Sequence, residues 1–188
     1  MEKIIKEHTF FDELFNEEII VIDLGSCQGE FIDEINKLYN VKKAILVEAN
    51  PTNFKKLIKK ENYILYNKIV SNKKNDNIKF YEDPRSPYNG STMFNYFNGI
   101  EHNIETITLD EIIKENNLTY IDLLKIDIEG SEYEILPTLS DEILGNIKQI
   151  TVEFHDFIDN NLKDKTEKII NRMKSLGFYH ISKPIHYM

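Results

Sequence analysis

"VIDLGSCQGEF", residues 21–31, is an apolar run that ends in an acid and breaks at once into small residues and glycine. The chain has 7 glycines in 188 residues, and two of them, Gly25 and Gly29, fall in this one turn. Glycine lets a backbone turn tightly after a strand and approach a ligand closely. A helix that starts at 29 would point its free N–H groups into the same space. The turn lacks the middle glycine of a dinucleotide-binding G-x-G-x-x-G, because Cys27 stands there. An ordinary strand-to-helix turn would read the same way, so its surroundings must decide.

Short apolar runs alternate with helix-period segments along the chain. "IIVIDL" (19–24), "KAILVEA" (43–49), "YIDLLKID" (120–127) and "IKQITVEF" (147–154) read as strands. Their near-continuous apolar character suits strands covered on both faces. Between and after them lie amphipathic helices. The segment 29–39 places Phe31, Ile32, Ile35 and Leu38 on one stripe. The segment 51–60 starts with Pro51 at a first helical position and turns Phe54, Leu57 and Ile58 inward. The segment 162–176 turns Ile169, Ile170, Met173 and Leu176 inward, with Gly177 as C-cap. Strand and helix in alternation imply an α/β fold: a mostly parallel, doubly wound sheet in one domain, 1–188. Two segments depart from this rhythm. Residues 1–15 read as an N-terminal helix packed on the sheet. Residues 83–103 have no clear period and exceed the ~12–15 residues usual for a structureless loop. Tyr88, Phe94, Tyr96 and Phe97 argue against disorder there, so the stretch reads as a flap over a site.

Composition narrows the function. At 41% hydrophobic and 29% charged residues, the chain has the balance of a globular domain. A net charge of −9 argues against nucleic acid as a partner, since a phosphate-backbone binder needs clustered Lys and Arg. No apolar run approaches the ~20 residues of a membrane span. Cys27 is the one cysteine, so no intramolecular disulfide forms, which fits a reducing compartment and a cytoplasmic location.

In a doubly wound sheet, ligands sit beyond the carboxyl ends of the strands, at the switch point. The first strand ends in Asp23 and the glycine turn. The second ends in Val47-Glu48-Ala49-Asn50-Pro51, where an acid can accept the hydroxyls of a ribose. Glu48 follows the turn at a spacing near the ~20 residues expected for that pairing. "LKIDIEGSE" (124–132) sets Asp127, Glu129, Glu132 and Gly130 directly after an apolar strand. A helix N-terminus favours acids, which accounts for Glu132 but not for Asp127 or the buried-looking Lys125. The last strand ends in Val152-Glu153-Phe154-His155-Asp156, and a period of two puts Glu153 and His155 on one face. If that face meets Asp127, the three groups form either a general base or a divalent-metal site, for Mg²⁺ for example.

"VIDLGSCQGEF", "LVEANP", "ITLDEII", "IDLLKIDIEGSEYEIL" and "TVEFH" stand here in the order seen in the FkbM family of S-adenosylmethionine-dependent methyltransferases. The chain resembles that family over roughly 19–155, with "LLKIDIEGSEYEIL" the most specific piece. Ser26 and Cys27 stand where the family's D-x-G-A-N-x-G has Ala and Asn. The resemblance implies a Rossmann-like class I methyltransferase fold, here with a shortened C-terminal strand pair. It implies S-adenosylmethionine as cofactor and O-methylation of a sugar, glycan or small metabolite. Asp23, Gly25, Ser26, Cys27 and Gly29 would shape the methionine pocket. Glu48 and Ala49 would lie at the ribose, Ser71 by the adenine, and Asp127 near the methyl group. Asp127, Glu129 or His155 would take the hydroxyl proton. Two other readings of the same residues stand beside this one: a non-catalytic Rossmann-like binding subunit and an NAD-dependent oxidoreductase.

Overall fold

The computed structural model describes residues 1–74, 77–86, 90–92, 98–157 and 160–183. The chain opens on a hairpin, β1 (Glu2–Ile5) and β2 (His8–Phe11). The expected helix over 1–15 is therefore corrected. Lys6 and Glu7 form the turn with φ of 47° and 70°, the left-handed pair that a two-residue hairpin requires. The hairpin is held from outside its own sequence. Phe10 stacks on Phe15 with ring centroids 5.3 Å apart, and the Gln149 amide bonds both backbone groups of Phe11 (2.7 and 3.0 Å). Tertiary packing here outweighs local helix propensity.

Next come β3 (Ile19–Leu24), α1 (Glu30–Leu38), β4 (Val41–Val47), α2 (Pro51–Phe54), β5 (Tyr63–Tyr66) and β6 (Ile69–Val70). Then follow β7 (Ile78–Glu82), β8 (Gly90–Ser91), β9 (Ile100–Ile104), β10 (Thr106–Ile107) and α3 (Leu109–Glu115). The remainder is β11 (Leu123–Ile126), α4 (Glu132–Ile135), α5 (Asp141–Gly145), β12 (Ile150–Val152) and α6 (Lys163–Ser175).

Five strands form the central sheet in the order β12, β11, β3, β4, β5, and every neighbour pair is parallel. Alternate residues supply the two faces. Ile22, Leu24, Ile45, Val47, Leu124 and Ile126 face one core, with Ile112 and Ile135 among its members. Ile19, Val21, Ala44, Leu46 and Leu123 face the other, with Phe31, Ile32 and Ile35 of α1. Every residue of β3 and β11 is buried, which is why those strands read as unbroken apolar runs.

Several boundaries differ from the sequence reading. The helix expected over 51–60 is one turn: Asn50 caps it by accepting from Thr52 N and Asn53 N, and it closes through the Lys56 N to Asn53 O bond. Leu57 is buried, but Ile58 is 56% exposed, and Leu38 and Leu176 also face outward. The described part of 83–103 includes regular structure. It contains β8 and most of β9, which pair antiparallel on either side of β7 in a three-stranded sheet. Tyr88, Phe94, Tyr96 and Phe97 lie outside the described residues. Thr52 Oγ1 (3.2 Å) and His102 Nε2 (2.8 Å) both bond Glu82, joining that sheet to α2. Among the described residues no strand follows β12.

Candidate functional site

The strand order reverses at β3 and β11, and a cleft of about 500 Å³ opens beyond their carboxyl ends. That volume is in the range of small-molecule sites, ~300–1,000 Å³. The 25–31 turn and 47–53 form one part of its lining. Residues 68–70, with Phe80, Gly90 and Thr92, form another. Lys125 and Asp127–Glu129, with Lys6–His8 and Glu153, complete it.

The glycine turn is built by close approach. Gly25 has φ +79°, and a Cβ there would lie 1.7 Å from the backbone oxygen of Asp127. The turn therefore lies flush against the end of β11. Ser26 Oγ donates to Asp23 O (2.8 Å) and closes the turn. Cys27 has φ +48°, and its N–H donates to Glu48 Oε2 (2.7 Å). Gly29, φ +88°, forms the N-cap of α1. Ser26, Cys27 and Ala49 line the cleft; Gly29 does not. Burial and the neighbouring Glu48 push the Cys27 thiol up to about 12, so it is not a ready nucleophile.

Glu48 lines the cleft and is held at both ends: Oε2 takes the Cys27 N–H, and Oε1 takes the Asn50 N–H at 2.7 Å. Burial raises its pKa to about 7, against the lowering pull of those two bonds. Asp23 was expected at the pocket wall. It is instead fully buried and does not line the cleft. Its Oδ1 lies 3.1 Å from Lys125 Nζ, yet neither carboxylate oxygen is in an aligned hydrogen bond. Lys125 Nζ also donates to Gly25 O (2.6 Å), so this buried cation ties together the ends of β3 and β11. Ser71, expected by the adenine, does not line the cleft; Ile69 and Val70 of β6 do. The Ser71 N–H is engaged by Ile107 O at 3.0 Å.

The acids after β11 separate into two groups. Burial works to raise the Asp127 pKa, but His8 and Lys125 outweigh it and hold the carboxyl well below the usual range. Glu129 lines the cleft with its backbone at φ +54°, and burial raises its pKa to about 7. Glu132 is fully buried; it accepts from Gly130 N (3.0 Å) and His155 N (3.1 Å), and it meets His155 Nδ1 at 2.9 Å. It is a structural acid rather than one that answers a helix dipole. His155 Nε2 lies 3.5 Å from Glu129. Burial works to lower the His155 pKa, but Glu132 foremost, with Glu129 and Asp127, lifts it to about 9. His155 does not line the cleft, and both its nitrogens face carboxylates.

Nor does His155 join Asp127 and Glu153, as expected from period two, because β12 ends at Val152. The structure brings His8, Asp127 and Glu153 together, and separately Asp127, Glu129 and His155. His8 and the buried role of Glu132 escape a reading of local sequence. The alternation of buried His8 and Phe10 in "HTFF" was the available signal for the hairpin.

A parallel α/β sheet with a cleft at the switch point, bordered by a glycine turn and an anchored strand-end acid, is the place where doubly wound folds bind their ligands. Residues 23–179 match the methyltransferase FkbM domain. The chain belongs to the FkbM methyltransferase family, as the motif resemblance implied. It is also 34% identical over 77 residues to the AMB antimetabolite synthetase AmbE of Pseudomonas aeruginosa. That match spans 41% of this chain and 4% of the synthetase, so the chain corresponds to a small piece of it. No solved structure gives a significant match. No helix among the described residues is long and apolar enough to cross a membrane.

Proposed function

We propose that the chain is an S-adenosylmethionine-dependent methyltransferase of the class I fold that methylates a hydroxyl. The observation that carries this reading is the pairing of the Gly25 turn with Glu48. A carboxylate held by two backbone N–H groups faces a cleft of nucleoside size, beside a turn that admits no side chain at Gly25. Glu48 would hold the ribose hydroxyls, Ser26 and Cys27 the methionine end, and Ile69 and Val70 the base. The cofactor, when bound, supplies a methyl group on a positively charged sulfur. The protein's part is to orient the acceptor and exclude water. Glu129, in the cleft with its backbone in the left-handed region, takes the hydroxyl proton. Such strained positions gather at functional sites. The acceptor is a sugar, glycan or small metabolite, and the partial likeness to an antimetabolite synthetase is in keeping with the last of these. With a single cysteine the chain forms no intramolecular disulfide, in keeping with a cytoplasmic location.

The test is a thermal-shift and calorimetric titration with S-adenosylhomocysteine, and with NADH in parallel. At 100 times its dissociation constant the first should raise the melting midpoint by roughly 5–10 °C. Glu48→Ala should abolish that shift. A shift with NADH alone would turn the reading to an oxidoreductase. No shift with either at millimolar concentration would leave a binding subunit of another kind.

A further inference from the structure

We propose that His8, Asp127 and Glu153 form a binding site for a first-row divalent cation, such as Mn²⁺, in the cleft. One ligand atom from each of the three lies within 4.8 Å of the others. His8 Nε2 stands 3.9 Å from Asp127 Oδ2. That is too long for a hydrogen bond. It suits two atoms that share an ion, since ligands about 2.0–2.2 Å from a metal lie roughly 3–4 Å from each other.

The second observation is the way His8 is presented. The residue is 5% exposed, and its Nδ1 meets the Thr151 hydroxyl at 3.3 Å. In the tautomer in which Nδ1–H donates to Thr151, the Nε2 lone pair is left for a metal. A metal-ligating histidine is held in this way through its outer nitrogen. Phe31 packs edge-on against the ring, 5.4 Å between centroids, and limits its rotation. The other triad, Asp127, Glu129 and His155, shares Asp127 and has its own held histidine, with Glu132 2.9 Å from Nδ1 and Glu129 3.5 Å from Nε2, so the test must separate the two.

Charge favours a cation at the His8 site. Glu7, Asp127, Glu129 and Glu153 all line this end of the cleft. Lys6 lies in the same turn, and Lys125 Nζ stands 3.6 Å from Asp127 Oδ2. Lys125 is shared among several groups, donating to Gly25 O at 2.6 Å and pairing with Asp23 at 3.1 Å as well as with Asp127. Two carboxylates and one imidazole suit manganese or its neighbours better than a thiolate-seeking ion. The remaining positions would be open to an oxygen of the acceptor. That last point rests on the methyltransferase reading; the binding of the cation does not.

Mn²⁺ alone, titrated into the metal-stripped full chain and followed by electron paramagnetic resonance of the free ion, tests the site. One ion per chain should bind. His8→Gln and Glu153→Gln should each weaken it at least tenfold, with folding checked by circular dichroism. Glu129→Gln should change it less than twofold. No stoichiometric binding would overturn the proposal, as would full affinity in both substituted sites. Loss in Glu129→Gln alone would overturn it too, because the ion would then sit at the other triad. S-adenosylhomocysteine binding by the metal-stripped chain is measured alongside. If it survives while Mn²⁺ fails to bind, the cation site is wrong and the cofactor reading stands. The reverse result separates the two the other way.

Discussion

A methyl group on Gly25 would sit 1.7 Å from the backbone oxygen of Asp127, and one on Gly29 would sit 3.2 Å from Leu57 Cδ2. The first neighbour is backbone at the junction of two central strands; the second is the end of a flexible side chain. Both glycines have positive φ, at ~1–2 kcal/mol for a residue with a Cβ. Gly25→Ala should therefore cost more than about 3 kcal/mol in urea unfolding and remove cofactor-analogue binding. Gly29→Ala should cost only about 1–2 kcal/mol. Equal costs would mean that the turn is not pressed on β11. At this scale the sequence was legible where a residue's role is local. The Gly25 turn and Glu48 stand where their spacing placed them. Asp23, Ser71 and His155 lie outside the cleft lining, and each is engaged by a distant partner that local sequence does not show: Lys125, Ile107 and Glu132.

The N-terminal hairpin is an element that the rest of the chain holds in place. β2 lies beside the edge strand β12 without a backbone ladder among the described residues. The Gln149 side chain takes the place of a strand partner: Oε1 accepts from Phe11 N and Nε2 donates to Phe11 O. Gln149 is 8% exposed, so removing its amide leaves two backbone groups poorly satisfied. Gln149→Ala should cost about 2 kcal/mol in urea unfolding. It should also speed amide exchange at Phe11. Unchanged exchange there would show that the hairpin is held by Phe10 packing alone. This docking explains why the element was misread: a Lys-Glu turn has neither Gly nor Asn to flag a hairpin. Four of the five central strands were legible because covered faces leave apolar runs, although β12 is only three residues long; the edge strand β5, mostly half-buried, left no such run. The helix after Pro51 was drawn too long, since its cap and proline are visible in sequence but its early close is not.

At the scale of the whole molecule, the cleft draws on segments from Lys6 to Glu153, and the fold holds buried acids beneath it. Asp23 and Glu48 are both raised, each chiefly by burial. Lys125 lowers both; Asp127 opposes it at Asp23, and Asp23 at Glu48. The sign of the consequence follows from linkage. A carboxyl whose folded pKa exceeds its unfolded value contributes stability that is fully present below the unfolded value, and that stability is lost as pH rises through the folded one. For Glu48 that window runs from 4.5 to about 7, and its whole displacement is worth roughly 3 kcal/mol. Asp23 acts in the same direction. The chain should therefore unfold at lower urea concentration at pH 8 than at pH 5. Glu48→Gln should be less stable at pH 5, because a carboxamide accepts at one end only and so loses one of the Cys27 and Asn50 bonds. Its midpoint should also change less between the two pH values than that of the parent chain. A parent chain equally stable at both would mean that Glu48 is not raised in the fold. An unchanged slope in the variant would place the titrating group elsewhere. The direction also bears on function, because the acid that would accept a ribose is the one the fold charges reluctantly. Hydroxyl donors from a bound nucleoside would favour its charged form. Folding and cofactor binding would then draw on the same carboxylate in opposite senses, so a stabilising Glu48 variant at pH 8 should be a poor binder.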